Sequence, residues 1–176
     1  MQPKPALTLL WLLLVFSGFV CRASSQEPND PAWFQQQGDR LFQARQLEKA
    51  AEAYQQAIKL QPTNVKAYAG LGFAYGALGR YPQAVEAFKQ AIRLQPKAPF
   101  AYGGLGTSYL MLKRYEESKE AFQQAIRLKP DFAEAHYGLG RTSLMLGDRD
   151  GALEEYNVLK TLDPKSAEEL LKNIPR

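Results

Sequence analysis

The chain has 176 residues, 45% of them hydrophobic, with 22 Lys and Arg against 18 Asp and Glu for a formal charge of +4. That suffices for one modest domain, and its basic side chains are spread along the chain, so the excess does not read as a nucleic-acid patch. One histidine (His136) and one cysteine (Cys21) are too few for a metal site built on His and Cys ligands, and any Ser-His-Asp triad would have to use His136.

The N-terminal residues read as a segment apart. Lys4 supplies a positive charge, Leu7 to Val20 (LTLLWLLLVFSGFV) is nearly all apolar, and Cys21-Arg22-Ala23 ends in a small residue. This is the pattern of a secretory signal peptide over residues 1–23, cleaved after Ala23 or, as second choice, after Ser25. An uncleaved membrane anchor is the first rival, although 14 helical residues rise only ~21 Å against a hydrocarbon core of ~30 Å. Lipid attachment at Cys21 is the second, and the bulky Val20 before it speaks against that. After cleavage no cysteine remains, and loss of Lys4 and Arg22 leaves 20 basic and 18 acidic residues, a charge of +2. The expected location is extracytoplasmic, periplasmic or secreted. The absence of Asn-x-Ser/Thr sequons and of a retention signal at the C-terminus leans towards a bacterial setting.

Residues 24–30 (SSQEPND) read as a short disordered lead-in. From Pro31 onward the chain repeats itself, with Pro62, Pro96, Pro130 and Pro164 each 34 residues after the last. The repeats are 31–64, 65–98, 99–132 and 133–166, followed by a capping helix at 167–176. In the second copy, Tyr68, Leu71, Gly72 and Tyr75 share one face of a 3.6-period helix, and Ala84, Phe88, Ala91 and Leu94 share one face of another. Gly79 stands where the first helix must end, and Pro96 with its neighbours ends the second. Gly38, Gly72, Gly106 and Gly140 recur opposite Ala50, Ala84, Ser118 and Ala152, letting paired helices approach, while Tyr54, Phe88, Phe122 and Tyr156 fill the space alongside. Lys59, Arg93 and Arg127 place a cation in the last turn of each second helix, where it complements the dipole.

The end copies drift. Gln37 stands where later copies have Leu, which suits an outer face without a neighbour. Gly103, Gly104 and Gly106 crowd the leading helix of the third copy. They read either as family-typical packing glycines or as a site of close ligand approach. In the fourth, His136 replaces the leading aromatic, Ser143 a Tyr, Arg149 an aromatic and Leu159 an Ala. His136 therefore reads as a core aromatic substitute. Ser166-Ala167-Glu168-Glu169 has the form of a capping box opening a helix that Pro175 ends, with Leu170, Leu171 and Ile174 on its inner side.

The unit resembles the tetratricopeptide repeat: an aromatic at Tyr68, then Leu71-Gly72, Tyr75, Ala84, Phe88, Ala91 and Pro96 at that family's spacing, in four copies over residues 31–166. The resemblance implies an all-α, right-handed superhelical solenoid of antiparallel helix pairs, with the first helix of each pair lining a concave groove. It implies an interaction module binding a protein or peptide segment there; the scarcity of nucleophiles and ligands and the spread of basic charge predict no enzyme activity, cofactor, metal or nucleic acid. The alternative is an assembly role in an envelope, secretion or pilus complex through the end repeats or self-association. The groove residues expected to meet a partner are Lys66, Phe73, Phe100, Thr107, Met111, Tyr137, Arg141 and Met145; Phe73 and Tyr137 lead, as aromatics that lie away from the packing stripe. Leu110, Met111, Leu144 and Met145 could instead pack against neighbouring helices. Relatives that clamp a terminal carboxylate use Lys and Asn at sites held here by Gln35, Asp39, Gly70, Lys66 or Phe100, and Gly104, so that activity is not expected.

Overall fold

The computed structural model describes residues 29–175; the expected signal peptide and most of the lead-in lie outside them. Four helix pairs follow one another: α1 (Pro31–Gln43) with α2 (Leu47–Leu60), α3 (Val65–Ala77) with α4 (Tyr81–Leu94), α5 (Pro99–Met111) with α6 (Tyr115–Leu128), and α7 (Ala133–Met145) with α8 (Arg149–Leu162). A ninth helix, α9 (Pro164–Asn173), closes the described chain. Each helix packs on the next, and the leading helices also touch in series (α1 on α3, α3 on α5, α5 on α7, α7 on α9). The fold is the all-α solenoid expected.

The turn inside each pair is the same in every copy. The amide of the fifth residue on returns to a carbonyl in the last turn of the leading helix: Gln46 to Leu41, Arg80 to Tyr75, Arg114 to Tyr109 and Asp148 to Ser143, all at 2.9 Å. This closure needs a left-handed residue just past the helix. Gly79 (φ 73°) and Gly147 (φ 77°) adopt that conformation readily, but Arg45 and Lys113 hold it too, each at φ 60°. Glycine is thus the signal in two copies, and in the other two the packing imposes the turn on a residue that resists it.

The recurrent glycines form slots for rings. Tyr54, Phe88 and Phe122 are almost wholly buried, and each lies between a glycine of its own leading helix and a glycine of the next one. Phe88 is flanked by Gly72 and Gly104, Phe122 by Gly106 and Gly138, and Tyr54 by Gly38 and Gly70. A methyl group at Gly72 would come 2.8 Å from the Phe88 ring, too close for a carbon contact. The packing account of Gly104 and Gly106 therefore holds.

The fourth copy departs from this scheme. Gly140 faces Leu170 of α9, where a Cβ would come within 2.5 Å, and not Tyr156, which is only half-buried. The reason is the start of α9. Asp163, the one residue between α8 and α9, accepts from the amides of Lys165 (3.2 Å) and Ser166 (3.4 Å) and from the Ser166 hydroxyl (2.6 Å). With Pro164 in the first turn, an N-cap Asp followed by Pro starts the helix three residues before the expected 167. Ser166 serves that cap instead of opening a box of its own. The buried stripe is consequently Ala167 and Leu170 of α9 with Ile174 just past its end, while Leu171 is 44% exposed. Leu159, larger than the alanines of the other copies, is fully covered in the same cluster. Leu94, expected on the packing face of α4, is exposed instead, as is Leu60 at the same place in α2. At the other end Asp30, part of the expected lead-in, caps α1 by accepting from the Ala32 amide at 2.8 Å.

Candidate functional site: the concave groove

The middle of the groove holds an apolar chamber of about 440 Å³. Its walls come from the leading helices: Phe73, Gly76 and Ala77 of α3, Phe100, Gly103, Gly104 and Thr107 of α5, and Glu134 and Ala135 of α7, with Phe42 of α1 at one side. The slotted rings of Phe88 and Phe122 form its floor. Phe73 stands edge-on to Phe88, and Phe100 edge-on to Phe132, both with centroids 5.0 Å apart. The two outer rings keep much of their surface free, 41% of Phe73 and 54% of Phe100.

Phe132 is the member that sequence reasoning missed. It occupies the helix-capping position before α7, where the first two copies carry Asp30 and Asn64. Phenylalanine cannot cap a helix, and its side chain turns inward until only 7% remains exposed. A Cβ at Gly103 would meet this ring at 2.9 Å, so that glycine makes room for the chamber wall. An aromatic standing at a capping site was the available signal.

Six of the eight expected groove residues fall into two sets. Phe73, Phe100 and Thr107 line the chamber. Tyr137, Arg141 and Met145 line a second cavity of about 510 Å³, shared with Leu144 and with Glu169, Asn173 and Pro175 at the end of the chain. There the Tyr137 hydroxyl donates to Glu169 at 2.6 Å, and the Arg141 guanidinium lies 5.7 Å from the centre of the Tyr137 ring. Burial, and then the carboxylate beside it, push the Tyr137 phenol above its ordinary range. Tyr137 is therefore held by α9 and is not a free groove aromatic. Lys66 and Met111 are exposed but line neither cavity. Leu110 is a core residue at 7% exposure, whereas Met145 at 57% points out.

His136 is buried between α7 and α8. One ring nitrogen, Nε2, donates to the Pro130 carbonyl at 2.9 Å, and Nδ1 lies 2.5 Å from the Glu155 carboxyl. Burial raises the Glu155 carboxyl above its ordinary value, with the histidine contact pulling partly back. Both nitrogens of the imidazole are engaged, as befits the core substitute expected. Among the described residues no cluster of three or more His, Cys, Asp or Glu is arranged to hold a metal ion, and no helix is long and apolar enough to cross a membrane.

Models of the tetratricopeptide repeat match residues 38–79, 65–131 and 104–167. No curated protein matches the chain significantly. Among solved structures, a crystal structure of MamA is 26% identical, with a TM-score of 0.71 over 81% of this chain and 81% of that one. The tetratricopeptide domain of Arabidopsis OM64 is 28% identical, with a TM-score of 0.63 over 64% of this chain and 93% of that domain. YrrB, described as a tetratricopeptide repeat protein with an unusual peptide-binding site, shares the fold at 22% identity, with a TM-score of 0.68 over 83% and 85% of the two chains. With its four 34-residue copies, its slotted rings and these matches, the chain belongs to the tetratricopeptide repeat family.

Proposed function

We propose that the protein is an exported, non-enzymatic interaction module whose central chamber takes an apolar side chain from a protein or peptide partner. The observation that carries this reading is the pair Phe73 and Phe100, half-exposed over an aromatic floor inside a concave surface. Large aromatics left open to water in a pocket cost free energy that a partner's apolar anchor recovers, about 25 cal/mol per Å² covered. YrrB has its own peptide-binding site; that likeness carries the fold, and the chamber carries the binding. The export reading rests on residues 1–23, and intact-mass measurement of the protein isolated from its source tests it.

A peptide-display selection on the purified chain tests the chamber. It should enrich peptides that share an aromatic or long aliphatic anchor, and a Phe73→Ala, Phe100→Ala variant of equal helicity should bind them at least tenfold more weakly. No shared anchor, or equal binding by the variant, overturns the reading. The assembly alternative draws on one observation, Trp33 of α1, which is 42% exposed. Concentration-dependent elution in size exclusion, lost in Trp33→Ala, would favour it.

A further inference from the structure

The charge around the chamber says more about its occupant, and this step rests on the chamber reading above. Its lining carries a single charged side chain, Glu134, in the first turn of α7. Glu134 is exposed and forms no ion pair among the described residues. Beside it, the Phe100–Phe132 pair already receives a cation of the chain itself: the Lys129 Nζ lies 5.0 Å from the centre of the Phe100 ring and 5.3 Å from that of Phe132. Ring faces attract cations through their quadrupole, and a carboxylate at the mouth adds to that attraction. Lys129 is half-buried at the end of α6, and its long side chain can yield the ring faces to a better-placed cation.

We infer that the chamber's partner is a segment in which a basic residue, Lys or Arg, directly neighbours the apolar anchor: the anchor fills the chamber while the cation meets Glu134 and the face of Phe100. An acidic neighbour would face the unpaired Glu134 across an apolar pocket and is selected against.

The test repeats the display selection with the full chain, with Glu134→Lys and with Phe100→Ala, each first matched for helicity by circular dichroism. Wild type should return anchors flanked within two positions by Lys or Arg, and Glu134→Lys should return Asp or Glu there instead. Synthetic pairs of the selected peptides, differing only in Lys against Glu at that place, should bind wild type with about a two- to fivefold preference for Lys, the scale of one exposed ion pair. The preference should reverse in Glu134→Lys. A shared anchor with the same flanking charges in both proteins overturns this inference and leaves the chamber reading standing. Selected peptides that bind Phe100→Ala as tightly as wild type overturn both.

Discussion

Replacing Gly104 by Ala sets two known effects against each other. In a helix interior the substitution is worth about 0.8–1 kcal/mol in favour of Ala. Here the new methyl would press into the Phe88 ring, which is 1% exposed and lies against Gly72 on its other side. The ring can clear the methyl only by leaving its slot towards the chamber or by α5 moving away from α4, so the cost falls at the upper end of overpacking, about 3 kcal/mol. Net destabilisation should be about 2 kcal/mol, a fall in melting temperature of ~4–8 °C for a chain of this size. Thermal unfolding followed by circular dichroism reads it directly. The decisive version is a double-mutant cycle with Phe88→Leu, whose smaller side chain clears the slot. In that background Gly104→Ala should cost nothing or stabilise. A rise in melting temperature for Gly104→Ala alone, or the same loss with and without Phe88, would refute the slot as the reason for the glycine.

Lys113→Gly should stabilise by about 1 kcal/mol in urea unfolding, because it removes the left-handed strain held at φ 60°; an unchanged midpoint would mean the turn is not strained. Asp163→Ala should cost about 1 kcal/mol as a lost N-cap, visible as faster amide exchange confined to α9. The Glu155 carboxyl is raised above its ordinary 4.5 in the folded protein. Folding therefore takes up a proton there, and the stabilisation is complete below 4.5 and is lost as pH rises above it. The hydrogen bonds agree: with Nε2 committed to the Pro130 carbonyl, the Nδ1 contact to Glu155 needs one shared proton. Urea midpoints of Glu155→Gln should thus vary less with pH above 4.5 than those of wild type; parallel profiles would refute the shared proton.

Much of the architecture was legible because the repeat is local. A helix pair with its turn spans 34 residues, and periodicity, Gly79 and Pro96 each act within a few residues of themselves. The site was half legible. Helical phase brought Phe73, Phe100 and Thr107 onto one face, and they do share a chamber. The same phase placed Tyr137 beside them, but it could not show that Glu169, 32 residues later, takes its hydroxyl. Nor could it show Phe132, which belongs to a connection and follows no helical period.

By itself, then, the chain's order of residues determined the repeat, its helices and their packing stripe, since these follow from spacing along the backbone; the concave face came with the family resemblance. Only the tertiary structure decided which rings slot between which glycines, which residues of the last helix cover the fourth repeat, and which groove aromatics stay open. Those outcomes depend on contacts between successive repeats, where a single residue such as Leu170 or Phe132 fills a gap that no periodic pattern records.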